Sequence, residues 1–160
     1  MRVDTATFKP REDQRRCAKR NADLIVSWHQ RGFDSERQSL FRRYQQTIHH
    51  EIDAADGADL HLVGDCPGGE LHARDTNGTL VAVSISDRSD DGLSSVYCYY
   101  DPDQSKRSLG TFMVLAEIAE AQVQGLPWLY LGYTIDTCQK MVYKKRFMPH
   151  QQYQNGRWIA

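Results

Sequence analysis

Three features of the sequence predict an α/β fold with a mixed, mostly antiparallel sheet flanked by helices. Asn77-Gly78 sits between two strand-like runs, 71–75 and 80–86, and this dipeptide in that setting is the strongest short-range hairpin signal. From about Ser108 to Gln124, helical spacing puts Leu109, Phe112, Met113, Ala116, Ala119 and Val123 on one face, and Gly125 supplies a stop. The run Leu126 to Leu131 that follows is short and continuously apolar, as a strand buried on both faces requires. With 160 residues, 40% of them hydrophobic, the chain falls in the range of a single domain, 1–160, able to bury roughly 70% of its unfolded surface.

The remaining elements follow in order. Arg11 to Asn21 is rich in helix formers and bases and reads as a short exposed helix. Leu24, Ile25, Val26 and Trp28 make 22–29 the first strand, and Gly32 and Asp34 mark a break and a helix cap. Leu40, Phe41, Tyr44, Ile48 and Ile52 then recur at three- and four-residue spacing, an amphipathic helix over Ser35 to Ile52. Asp53 to Glu70 is an acidic, glycine-rich loop with room for one short strand at Leu60 to Val63. A third strand, Leu93 to Tyr100, follows the turn Asp90-Asp91-Gly92 and completes an antiparallel meander. Asp101-Pro102 ends it, because proline drives its predecessor out of the helical region. Alternation puts Tyr97 and Tyr99 on one face of that strand and Val96, Cys98 and Tyr100 on the other. After Gly132 the pattern predicts a helix over Thr134 to Arg146 and a last strand within 152–159.

Composition narrows the function classes. No window approaches the ~20 apolar residues of a membrane helix, and MRVDTATFKP lacks the apolar core of a signal peptide, so the expected location is the cytoplasm, with no membrane partner. Cys17, Cys66, Cys98 and Cys138 lack paired CxxC spacing and read as free thiols, and the adjacent His49 and His50 point in different directions on a helix. No metal site is expected. The net charge of -1 hides an asymmetry, since Lys9 to Arg20 and Gln139 to Ala160 are basic while Glu51 to Asp103 is acidic. Two basic ends suit a polyanion if folding brings them together.

Strand, helix, three antiparallel strands, helix, strand, helix, strand is the order of the GNAT acyltransferase fold. In that fold the strands on either side of the central helix splay apart, here 93–100 and 126–131, and the helix start at 105–111 points its unpaired N–H groups at an anion. Ordinary GNAT acetyltransferases hold acetyl-CoA with Q/R-x-x-G-x-G/A. In Arg107-Ser108-Leu109-Gly110-Thr111-Phe112 the second small residue is replaced by Phe112, which disfavours acetyl-CoA. The chain resembles the C-terminal domain of the arginyl-tRNA protein transferases and their bacterial leucyl-transferring relatives. The residues that carry the resemblance are Ser95-Val96-Tyr97, Tyr100-Asp101-Pro102-Asp103, Arg107-Ser108-Leu109-Gly110, Gly125-Leu126-Pro127, Tyr130-Leu131-Gly132-Tyr133, Cys138, Lys140-Met141, Tyr143-Lys144 and Phe147-Met148-Pro149. The cysteine-rich N-terminal domain of that family has no counterpart here, which implies either a truncated chain or a stand-alone transferase with its own acceptor.

The resemblance implies transfer of an amino acid, arginine by expectation, from a charged tRNA to a free amine of a protein or peptide. Such an ester-to-amide step needs position, a neutral amine and a donor to the oxyanion, with no cofactor beyond the aminoacyl-tRNA itself. Arg107, Ser108, Leu109 and Gly110 are the expected phosphate site, continued by Lys140, Tyr143, Lys144 and Lys145. Tyr97 and Tyr133 are expected beside the reacting ester, Asp101 at the α-ammonium, and Asp136 against the guanidinium of a transferred arginine. Alternatives are a small-molecule or natural-product amine as acceptor, a non-catalytic tRNA- or peptide-binding module, and an acyl-CoA acetyltransferase.

Overall fold

The structure is a computed structural model that describes residues 1–32, 34–50, 66–135 and 137–160, without the side chains of Gln139 and Lys140. Its elements are β1 (Arg2–Asp4), α1 (Glu12–Arg20), β2 (Ile25–His29), α2 (Ser35–Tyr44), β3 (Gly68–Arg74), β4 (Leu80–Arg88), β5 (Gly92–Tyr100), α3 (Leu109–Val123), β6 (Trp128–Tyr130), α4 (Gln139–Val142), β7 (His150–Gln154) and β8 (Arg157–Ile159). The strands form one sheet in the order β2-β3-β4-β5-β6-β1-β7-β8. Every pairing is antiparallel except β5 with β6, which is parallel because α3 crosses between them. Among the described residues no helix is long and apolar enough to cross a membrane.

Local chemistry explains the helices. The first turn of α1 carries Glu12 and Asp13 and its last turn Lys19 and Arg20, each complementing the helix dipole. Its inner face is not exposed, since Gln14 and Cys17 are buried toward the start of α3. Asp34 caps α2 by accepting from the Arg37 amide at 2.9 Å. Beyond Tyr44 the helix widens into a π turn, Gln45–His49. The expected continuation to Ile52, and the short strand at Leu60 to Val63, lie outside the described residues.

Helix α2 buries Leu40, Phe41 and Tyr44 against Val83, Ile85 and Tyr99 on one face of the sheet. On the other face α3 packs Leu109 and Met113 against Leu71, Ala73, Val81 and Ala82, and Val114, Ile118 and Ala121 against Val3, Leu93 and Leu129. The buried face of α3 is rotated from the expected one: Val114, Ile118 and Ala121 are buried while Ala119 and Val123 face solvent, because the sheet's contact follows the whole crossing of the helix and not its apolar residues alone.

The C-terminal third departs from expectation. Thr134 to Arg146 is not one helix: α4 is a single turn, followed by a 3-10 turn over Tyr143–Arg146. The last strand is a hairpin, because Asn155 (φ 50°) and Gly156 (φ 78°) both adopt the positive φ of a type I′ turn. The chain's second Asn-Gly pair therefore carried the same signal as the first. Strand β1 has only three residues, too few for a periodicity, yet it bridges β6 and β7.

Two irregularities in β5 shape the site. β5 pairs with β6 only over Gly92–Ser94 against Trp128–Tyr130, and beyond Ser94 the two strands part. At Gly92 a Cβ would stand 2.5 Å from the Trp128 carbonyl oxygen, so this close approach demands glycine. Farther along, Ser86 opposes Ser95 while Ile85 opposes Tyr97, leaving Val96 as the extra residue of a β-bulge. Tyr97 and Tyr99 do share the α2 side as alternation predicts, but Val96 is thrown out to solvent instead of joining Cys98 and Tyr100.

Candidate active site

The parting of β5 from β6 opens a cavity of about 590 Å³ that reaches both faces of the sheet. From the α2 side it is lined by Tyr44, Ile48, His49 and Tyr97, and from the α3 side by Ser108, Leu109, Gly110, Thr111, Val114, Tyr143 and Lys144. Ser95, Val96 and Cys98 form the strand edge between them. Asp101 accepts from the Asp103 amide at 3.2 Å and caps the 3-10 turn Pro102–Arg107, and Ser108, at φ 56°, turns the chain into α3. The first-turn amides of α3 therefore end at the cavity without intrahelical acceptors.

A polar hollow of about 240 Å³ adjoins this cavity and shares Ser108, Thr111 and Tyr143 with it. Arg16, Arg20 and Arg146 line it together with Asp13. Folding brings the two basic ends of the chain together here: Arg146 pairs with Asp13, and its carbonyl accepts from Gln14 Nε2 at 3.2 Å. The Cys17 thiol hydrogen-bonds the Ser108 carbonyl at 3.5 Å, fixing α1 to the start of α3.

The expected site residues divide into three groups. Tyr97, Ser108, Leu109, Gly110, Tyr143 and Lys144 line the cavity. The Tyr97 hydroxyl donates to Gln45 Oε1 at 3.2 Å, and Lys144 Nζ donates to the carbonyls of Leu131 (2.7 Å) and Tyr133 (3.3 Å). Burial holds the Lys144 ammonium below its ordinary pKa.

A second group stands apart from the cavity. Arg107 forms a bidentate ion pair with Asp23, at 2.7 and 2.8 Å, and so ties the loop before α3 to the α1–β2 turn. Asp101 is occupied by Arg43 at 2.6 Å and Gln104 at 2.9 Å as well as by its cap. Tyr133 is 87% exposed and belongs to a neighbouring aromatic hollow with Tyr130, Tyr153 and Trp158, and Lys145 is absent from the cavity wall. Phe112 packs between α3 and the sheet, away from the opening. The third group, Asp136 and the side chain of Lys140, lies outside the described residues.

Of the α2-side wall sequence reasoning found Tyr97 but not Tyr44, Ile48 or His49, and it did not find Glu117. Glu117 is fully buried under the cavity, where its Oε1 accepts from Ser84 at 2.6 Å and Ser86 at 3.0 Å. A glutamate at an inward-facing position of α3, opposite Ser84 and Ser86 in an otherwise apolar strand, was the signal available. Burial raises its carboxyl to about 7, offset in part by the serine hydrogen bonds. The nearby Cys98 thiol is pushed far above its ordinary pKa by burial, so it is held neutral and is a poor nucleophile.

A helix start facing a through-sheet opening between two parted parallel strands defines a GNAT-type acyltransferase fold. Solved structures agree in fold: L-PGS from Bacillus licheniformis superposes with a TM-score of 0.60 at 13% identity, over 86% of this chain and 46% of that one. A GCN5-related glucosamine N-acetyltransferase region of a fungal multi-domain enzyme gives 0.56 at 14% identity, over 82% of this chain and 17% of that one.

Within that class the chain belongs to the family described as arginine-tRNA-protein transferase, C terminus, whose model matches residues 36–154. Aspartate/glutamate leucyltransferases from Teredinibacter turnerae and Pseudomonas putida are each 41% identical to it, over 99% of this chain and 68% and 69% of theirs. The chain is thereby an aminoacyltransferase of the aminoacyl-tRNA-dependent kind.

Proposed function

We infer that residues 1–160 act as one domain in the cytoplasm, transferring leucine from leucyl-tRNA to the α-amine of a peptide or protein that begins with Asp or Glu. The observation that carries this reading is the cavity open on both faces of the sheet beside a hollow lined by three arginines. A polyanionic acceptor end approaches from the α3 side, with its phosphates at Arg16, Arg20, Arg146 and the first turn of α3. The aminoacyl ester then lies in the opening, and the amine enters from the α2 side past Tyr97 and His49. Donor and acceptor meet without crossing, which is the positional part of the catalysis.

The donor is read as leucine, rather than the arginine expected from sequence, for two reasons. The relatives are named leucyltransferases. The cavity wall offers Ile48, Leu109, Val114 and Leu131, an apolar surface suited to a branched side chain. In this scheme Ser108, Leu109, Gly110, Tyr143 and Lys144 hold the donor and Tyr97 borders the ester, whereas Arg107 and Asp101 hold the loop that presents the helix start. A small-molecule amine as acceptor would use the same opening.

The test is transfer of radiolabelled amino acid from leucyl- and arginyl-tRNA to peptides beginning with Asp, Glu or Lys. Transfer of leucine to the acidic peptides is expected. Arginine transfer alone overturns the donor assignment, and transfer from neither tRNA overturns the function.

A further inference from the structure

Glu117 is a buried acid with a path to the cavity. Its position on α3 places the carboxyl against the sheet with no exposure, where Ser84 and Ser86 of β4 donate hydroxyl hydrogen bonds to Oε1 and Ser95 of β5, paired across the strands with Ser86, stands near it. Its second oxygen, Oε2, is buried without a partner. Ser95 also lines the cavity, at the point where β5 leaves β6 and just before the Val96 bulge. The bulge makes this possible, because the extra residue lets Ser95 and Cys98 both face α3. The titratable groups within electrostatic reach of Glu117 are the Cys98 thiol and the Tyr143 phenol, both held neutral by burial. No ion pair reaches it among the described residues.

We propose that Glu117 is the proton acceptor for the incoming amine, acting through the Ser95 hydroxyl as a one-step relay from cavity to carboxylate. This rests on the transfer reading above and adds a residue and a proton path to it. An α-ammonium entering the cavity gives one proton to Ser95 Oγ as Ser95 passes its own to the Glu117 carboxylate. The freed amine lone pair forms the C–N bond to the ester carbonyl, and the C–O bond to the tRNA ribose breaks. A second amine proton goes to the departing ribose oxygen, the third stays on the amide, and Glu117 returns its proton to water. Because it acts through Ser95, Glu117 is a positioning residue, and a carboxyl that titrates near 7 exchanges protons with an amine without becoming trapped in either state.

The test compares wild type, Glu117→Gln and Ser95→Ala by kcat/KM across pH, with leucyl-tRNA as donor and two acceptors. One acceptor is a peptide beginning with Asp; the other is hydroxylamine, which is already neutral at physiological pH. The relay predicts that Glu117→Gln lowers peptide transfer at neutral pH by roughly 10-fold, since only about a tenth of an α-amine of pKa ~8 is already neutral there, moves the rising limb from near pH 7 up to the amine's own titration and leaves transfer to hydroxylamine unchanged. Ser95→Ala is expected to lower peptide transfer and shift the same limb upward while Ser84 and Ser86 still hold Glu117, so the proposal stays testable if Glu117→Gln fails to fold. Equal losses with both acceptors, or an unaltered pH profile in either variant, overturn the relay and leave the transfer function standing. A wild type inactive with every donor overturns both.

Discussion

Glu117→Gln is expected to raise the free energy of unfolding by about 3 kcal/mol at about pH 8.5, and to leave it nearly unchanged at about pH 4. The folded protein holds this carboxyl at about 7, above its ordinary 4.5, because ionising it beneath α3 leaves a buried charge with only hydroxyl donors. An acid raised in this way contributes stability that is fully present below the unfolded value and is lost as pH rises through the folded one. Between those two values the wild type therefore weakens, and above the second it levels off. Glutamine has the shape of the protonated acid, keeps an acceptor for Ser84 and Ser86, and does not titrate. Urea unfolding of both proteins across this range checks the prediction, and parallel curves at every pH would contradict it. Together with the loss of transfer expected of the same variant, this makes Glu117 a site where the fold gives up stability for chemistry.

The largest loss of stability is expected far from the cavity. Arg37→Ala is predicted to destabilise the fold by about 3–5 kcal/mol, because it strands a buried carboxylate. The Glu70 side chain is 2% exposed and accepts from Arg37 at 2.8 Å, with the Gly32 amide at 3.2 Å as a weaker partner and His72 Nε2 within 2.9 Å. Arg37 also reaches Asp34, the cap of its own helix, so one guanidinium joins α2 to β3. Adding Glu70→Gln to Arg37→Ala removes the stranded charge and is expected to recover much of the loss. Equilibrium unfolding of the single and double variants measures it, and a single variant within about 1 kcal/mol of wild type would contradict a buried-charge origin.

What the sequence made legible was local. The hairpin at Asn77-Gly78, the two amphipathic helices and the meander of β3, β4 and β5 follow from patterns within a dozen residues, and they are the elements that build the sheet beside the cavity. The opening itself depends on pairings distant in sequence. Where β5 leaves β6 is set by three parallel pairs across α3, and the bulge at Val96 is visible only once Ser86 is known to oppose Ser95. Strand β1 is invisible for the same reason, since Arg2–Asp4 becomes a strand through β6 and β7 on either side.

Charge was legible in kind but not in partner. The two basic ends do meet, at the hollow beside Ser108, but through Arg16, Arg20 and Arg146. Arg107, the motif residue, spends its guanidinium on Asp23. That pairing spans more than 80 residues, and no spacing rule announces it. Tyr133 shows the opposite case, in which an apolar residue of the motif lies on the surface beside a second hollow.

Whether the opening between β5 and β6 receives the aminoacyl end of the donor is decided by a crystal structure with a hydrolysis-resistant leucyl-adenosine amide. The leucyl side chain is expected against Val114 and Leu131, its carbonyl near the first-turn amides of α3, and the adenosine extending toward Ser108 and the arginine-lined hollow. The analogue bound instead among Tyr133, Tyr153 and Trp158, with the opening empty, would contradict it.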